Sequence, residues 1–142
     1  MEAVRTLSPH AVVDRSAGDL VDAVGRELED PQVDVVADVV AGPHFRDCLA
    51  LLRGHGRYVS GGAIGGGVVE FDVRTLYLKY LTFYGVSGGM PWHFERVLEH
   101  LREGKLEPLL HATYPLAERE QAQCHFVSKS FFGNLAVLPG PG

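Results

Sequence analysis

Residues 33–62 read VDVVADVVAGPHFRDCLALLRGHGRYVSGG. An apolar, β-branched run opens the stretch, a segment with helical spacing follows, and a second apolar run closes on glycines. That succession is a strand, a crossover helix and a parallel strand. Strands of a parallel sheet are covered on both faces, so they lose the polar alternation of a half-exposed strand, as 33–40 does. Open sheets of this kind take ligands beyond the carboxyl ends of their strands, which here are 39–42 and 61–67. Neither place supplies a nucleophile or a metal cluster. The pattern therefore points to a small-molecule or nucleotide pocket more clearly than to a reaction.

Upstream, 1–7 has the composition of a last helical turn closed by Ser8 and Pro9. AVVD at 11–14 reads as a short strand, and Asp14, Ser16 or Asp19 is placed to cap a helix through DLVDAVGREL, whose stripe is Leu20, Val21, Val24 and Leu28. Gly54, His55 and Gly56 stop the central helix before the strand resumes at Arg57. The stretch GGAIGGGVVEF is too glycine-rich for a helix and lacks the G-x-G-x-x-G spacing between first strand and helix. Asp72 begins a helix through VRTLYLKY, 81–84 is another short strand, and Phe94, Val97, Leu98 and Leu101 form an amphipathic helix entered by Met90 and Pro91 and stopped by Gly104. Trp92 is read as its packing anchor. Beyond it, 105–115 is extended, 116–130 helical, and LAVLP a terminal strand.

The chain has 142 residues, 46% of them hydrophobic, enough for one ordinary core. A net charge of −5 without a block of like charge disfavours nucleic acid and anionic membrane as partners. No apolar run approaches membrane-spanning length, and MEAVRTLSPH lacks the basic head and apolar core of a secretion signal. Cytoplasm is the expected location. Cys48 and Cys124 lack C-x-x-C spacing and read as reduced thiols, Cys48 in the core. Cys124 and His125 are helix neighbours and do not face each other. The seven histidines are scattered without zinc-ligand spacing, so no metal site and no catalytic residue is assigned. Asp38, at the end of VDVVAD, is placed either to satisfy its own loop or to orient a ligand hydroxyl, the first being favoured.

The ordered series AVVDRSAGDLVDAV (11–24), VDVVADVVAG (33–42), LALLRGHGRYVSGGAIGG (49–66), DVRTLYLKYLTFYG (72–85), YPLAEREQAQCHF (114–126) and FFGNLAVLP (131–139) resembles the medium-chain dehydrogenase/reductase family. The likeness is to its zinc-type alcohol dehydrogenase and quinone oxidoreductase branches, and it covers essentially the whole chain. It implies an α/β fold: an incomplete doubly wound Rossmann-type parallel sheet over 1–104, followed by a C-terminal α+β tail from the GroES-like catalytic domain over 105–142. By this resemblance 11–14, 33–38, 57–60 and 81–84 are the third to sixth strands of the family's sheet.

The N-terminal barrel, the Gly-rich first βαβ and the ribose selector have no counterpart, so the chain is expected to be a fragment with a missing N-terminal segment or partner. In the usual strand order, 11–14 then loses its neighbour and 33–38 becomes an apolar edge, which predicts an altered or assembled fold. The resemblance implies contacts to the nicotinamide half of NADP or NAD from Val40, Ala41 and Gly42, from Gly62, Ala63 and Ile64, and from Gly85, Val86 and Ser87. Gly133 matches a terminal Gly-Lys pattern in which Asn134 replaces the lysine and its charge. The implied parent reaction is hydride transfer to or from an alcohol, aldehyde, ketone or quinone-like small molecule, with little activity from this chain alone. The other reading is a non-catalytic oligomerisation or partner-binding module, a homodimer or higher homo-oligomer formed through the 81–85 edge strand.

Overall fold

The computed structural model describes residues 2–140. They form two compact units, one running through Gly88 and one beginning at Gly89. In the first unit, a short helix α1 (Glu2–Arg5) is followed by α2 (Leu20–Glu27), whose N-cap Asp19 accepts a hydrogen bond from the Asp22 amide at 2.9 Å. Then come β1 (Val33–Asp38), a 3-10 turn (Gly42–His44), α3 (Phe45–Leu51), β2 (Leu52–Ser60), α4 (Val73–Leu78) and β3 (Thr82–Gly85). Asp72 caps α4, accepting from the Arg74 amide and guanidinium. That hydrogen-bonded pairing holds the Asp72 carboxyl down at about 2.

The three strands pair in parallel in the order β1-β2-β3, with Val36 opposite Tyr58 and Tyr58 opposite Phe83. This row meets α3: Phe45 lies edge-on to Tyr58 at 5.2 Å and to Phe83 at 6.4 Å between ring centroids. Leu49, Leu52 and Leu81 complete the buried cluster, with Cys48, Phe71 and Leu76 packed at its margin.

Full coverage of both sheet faces, expected from the apolar strands, is not met. Val35 is 45% exposed and Tyr84 51% exposed. The reason is topological. Right-handed crossovers that step in one direction along a sheet place their helices on the same face. Both crossovers here step in the same direction.

Two further expectations are corrected. Residues 11–14 form no strand; no strand of the first unit lies beside them, and an unpaired extended segment has no ladder. The β1-β2-β3 order is nevertheless the one expected of the family's fourth to sixth strands. The second correction concerns Gly54, His55 and Gly56, which do not separate helix from strand. The helix ends at Leu51 and β2 begins at once. Between Val33↔Leu52 and Val35↔Arg57, β1 advances two residues while β2 advances five, a wide bulge that absorbs the glycines. His55 sits there at φ +63°, its amide donating to the Lys79 carbonyl at 2.7 Å and its ring stacked on Tyr80. Lys79 closes the junction: its ammonium donates to the carbonyls of Leu49, Ala50 and Leu52 at 3.1, 2.9 and 2.7 Å, capping the end of α3.

The second unit contains α5 (Pro91–Arg102), β4 (Leu110–Pro115), α6 (Arg119–Ser128) and β5 (Asn134–Leu138). β4 and β5 pair in parallel, so this part is again strand, helix, strand. The amide of Met90 donates to Nδ1 of His93, which caps α5. Leu98 and Leu101 are half-buried, whereas Phe94 and Val97 of the same stripe are exposed. Trp92 is 57% exposed and near only the His93 ring among aromatic neighbours, so it is not the packing anchor its position implied. Among the described residues no helix is long and apolar enough to cross a membrane.

Candidate functional site

The carboxyl ends of β1, β2 and β3 lie side by side, because parallel strands in register end together. Asp38 pairs with Ser60, and Ser60 with Gly85, in one row across the sheet. The three loops leaving this row are therefore neighbours. The Gly61 amide donates to the Asp38 carbonyl at 2.9 Å, the Gly65 amide to the Val40 carbonyl at 2.7 Å, and the Val86 amide to the Ser60 carbonyl at 2.8 Å. The loop carrying Val40, Ala41 and Gly42 is thus seated on the loop carrying Gly62, Ala63 and Ile64, and Gly85, Val86 and Ser87 leave the next strand of the row.

The glycines of this region do two different things. A Cβ on Gly42 would collide with the Gly65 carbonyl, and Gly42 stands at φ +61°. A Cβ on Gly62 would lie 3.0 Å from the Val39 carbonyl oxygen, and one on Gly65 would lie 2.9 Å from that of Val40. These glycines let one loop's backbone rest on the other's. Gly67 and Gly85 have open space where a Cβ would be. Exposed apolar side chains stand on all three loops: Val39 after β1, Ile64 after β2, where it is 88% exposed, and Val86 after β3.

Asp38 holds the first loop from inside. One carboxylate oxygen accepts from the Val40 amide at 2.7 Å and the Ala41 amide at 3.0 Å, while the other accepts from the Tyr58 hydroxyl at 2.6 Å. Burial alone would raise the Asp38 carboxyl; the hydrogen bonds from Tyr58, Ala41 and Val40 outweigh it and hold the group below its ordinary value. Burial, and then the negative charge it bonds to, pushes the Tyr58 phenol far above its own ordinary value. Asp38 thus plays the loop-satisfying part favoured from sequence. Its partner Tyr58 carried no signal there, since an alternating core tyrosine looks the same whether or not its hydroxyl has work. Ala41, held by this carboxylate, adopts φ 53° and ψ −136°, a conformation that costs a residue with a Cβ.

Gly133 and Asn134 lie in the second unit. Gly133 is at φ +99°, and a Cβ there would run into the Leu109 carbonyl. That carbonyl also accepts from the Asn134 amide at 2.7 Å and lies 3.4 Å from the Asn134 side-chain nitrogen. Nearby in chain, the Tyr114 hydroxyl and Nδ1 of His125 are 2.6 Å apart, and the rings of His111 and Phe131 pack against His125. His125 thus faces Tyr114, not its chain neighbour Cys124, which is exposed.

A groove of about 590 Å3 lies away from the strand ends, lined by Phe45, Leu49, Phe71, Thr75 and Lys79 among others. Its Lys79 and Asp72 are already partnered within the chain. Among the described residues no three His, Cys, Asp or Glu side chains are grouped to hold a metal ion. The described residues therefore do not fit zinc. They fit part of a nicotinamide dinucleotide: an exposed apolar rim and an unfilled Gly85 suit a flat heteroaromatic ring.

The family model for the zinc-binding dehydrogenases matches residues 8–137. Quinone oxidoreductase-like protein 2 of Bos taurus is 27% identical over 134 residues, and that of Rattus norvegicus likewise. Each comparison takes in 88% of this chain and 38% of the relative, so the chain spans well under half the length of the curated proteins it matches. A solved candidate alcohol dehydrogenase from Sinorhizobium meliloti 1021 is 44% identical, with a TM-score of 0.84 over 97% of this chain and 38% of that one. A thermostable alcohol dehydrogenase from Pyrobaculum aerophilum is 32% identical, with a TM-score of 0.64 over 78% of this chain and 33% of that one. The parallel β1-β2-β3 sheet and a match running through nearly all of the sequence have one reading: the chain belongs to the zinc-binding dehydrogenases of the medium-chain dehydrogenase/reductase family.

Proposed function

We propose that this chain supplies the nicotinamide-facing part of an NAD(P)(H)-dependent oxidoreductase that moves a hydride to or from an alcohol, aldehyde, ketone or quinone-like small molecule. The observation that carries the reading is that the three loops leave adjacent carboxyl strand ends and that Gly85, at one of those ends, has open space where a Cβ would be. Val40, Ala41 and Gly42 present one wall, Gly62, Ala63 and Ile64 a second, and Gly85, Val86 and Ser87 the floor. The dinucleotide, when bound, would give or take the hydride; the chain's own contribution is to hold the ring flat, offer backbone polar groups to its amide and keep water from one face. In this reading 1–104 belongs to the nucleotide-binding domain and 105–142 to the return into a GroES-like catalytic domain. Gly133 and Asn134 are counted among the cofactor contacts in this reading, without a lysine's charge. Full activity requires the phosphate-binding turn and substrate barrel to be contributed from outside these 142 residues.

Saturation-transfer NMR with NADPH and NADH tests this directly. The nicotinamide protons are expected to receive more saturation than the adenine protons, and Gly85→Val is expected to abolish the signal while the fold survives, because space is open there. Equal saturation of both ends, or indifference to Gly85→Val, overturns the assignment.

A second reading rests on the open edges of the three-stranded sheet. β3 leaves one side of its backbone unpaired within the first unit, a template for a second copy of the chain. A homodimer through this edge is compatible with the cofactor reading and also stands without it, as a non-catalytic association module.

A further inference from the structure

We infer that Tyr58 is a positioning residue which, through Asp38, sets the shape of the Val40, Ala41 and Gly42 loop for the nicotinamide ring. This rests on the cofactor reading above and adds a control element lying beneath the site. Tyr58 is 4% exposed and sits with its ring in the core, so it touches no ligand. Its hydroxyl reaches Asp38 at 2.6 Å, and the opposite carboxylate oxygen holds two consecutive amides of the loop. The chain of contacts continues outward. The held loop keeps Ala41 in its costly conformation, seats Gly42 against Gly65 and directs the Val40 carbonyl to the Gly65 amide. One hydroxyl in the core is thereby linked to two loops of the site.

A tyrosine that only fills space would do so equally well as phenylalanine. The geometry separates the two roles, because removing the hydroxyl leaves the ring's contacts with Phe45 and Phe83 intact and takes one donor from Asp38. The groups facing Asp38 are Tyr58 from β2, Cys48 from α3 and Arg15 from the segment before α2. Asp38 is ionised at neutral pH and loses its grip on the two amides only when protonated in acid. Losing the Tyr58 donor moves that protonation to higher pH.

The test uses the full 15N-labelled chain, unsubstituted and as Tyr58→Phe and Asp38→Asn. The amide shifts of Val40 and Ala41 are followed from pH 7 to pH 3, Gly65 amide exchange is measured with Val59 as the core control, and NADPH is titrated at pH 7. In Tyr58→Phe the Ala41 amide is expected to titrate at higher pH, Gly65 to exchange faster while Val59 does not, and NADPH affinity to fall about three- to tenfold, the range of one hydrogen bond. Asp38→Asn is expected to abolish the Ala41 titration. An unmoved Ala41 titration, or a moved one with unchanged NADPH affinity, overturns the inference and leaves the cofactor reading in place. No NADPH binding by any variant, the unsubstituted chain included, overturns both.

Discussion

Gly42 shows how much a missing methyl group can decide. It combines a left-handed φ with a Cβ direction blocked by backbone that cannot move aside. Gly42→Ala is expected to destabilise the first unit by about 1–3 kcal/mol, read as a lower urea midpoint. No loss of stability would mean that the two loops are not seated on each other. The two cysteines behave oppositely. Cys48 is half-buried within α3, and burial, reinforced by the charges of Asp38 and Asp47, pushes its thiol up to about 11. Iodoacetamide at pH 8 is therefore expected to label the exposed Cys124 first and Cys48 only as the protein opens, which peptide mass spectrometry distinguishes. Both were legible as reduced thiols from spacing alone. The shielding of Cys48 was legible too, from its apolar helical neighbours; the charges of Asp38 and Asp47 that reinforce it were not, Asp38 being distant in sequence.

The junction of α3 and β2 is where local grammar misleads. Gly54, His55 and Gly56 carry every mark of a helix stop followed by a loop, yet they lie inside a strand, as the bulge that brings Lys79 to the helix end. A single ammonium serves three carbonyls that α3 leaves open. Lys79→Met keeps the stem and removes the donors. It is expected to cost about 1–2 kcal/mol, allowing for a partly exposed site, and to speed exchange around the α3–β2 junction before the rest of the sheet. Uniform loss of protection would instead place Lys79 in the general stability of the fold. β1 is tied to β2 on the other side of this bulge by Arg53, which meets Asp30 and Asp34 at 3.2 Å each; both pairs are exposed and add little. The 11–14 segment has strand composition and no strand, since composition proposes an extended chain and only a neighbour makes it a ladder.

For the molecule, the open face and edges of the three-stranded sheet govern behaviour in solution. An edge whose backbone groups lack partners lowers its free energy by finding them. The amides of Thr82–Gly85 are expected to become more protected from exchange as concentration rises, with a matching rise in sedimentation coefficient. Concentration-independent exchange alongside a monomer would rule out association through β3. The crossover helices α3 and the α4 segment were readable in advance from their apolar spacing and caps. That both lie on one face follows from the direction in which the chain steps along the sheet.

The order of strands and helices in 33–85 was contained in the chain itself, because hydrophobic period, cap residues and glycine breaks act over a few residues and survive without context. So was the kinship of the whole series, and with it the end of the sheet where a ligand is to be sought. Tertiary structure alone decided that Tyr58 reaches Asp38, that Gly42, Gly62 and Gly65 serve loop-to-loop contact, and that 11–14 stays unpaired. The first two depend on groups far apart along the chain meeting within about 3 Å, the third on no strand of the first unit lying beside 11–14, and no local pattern encodes either.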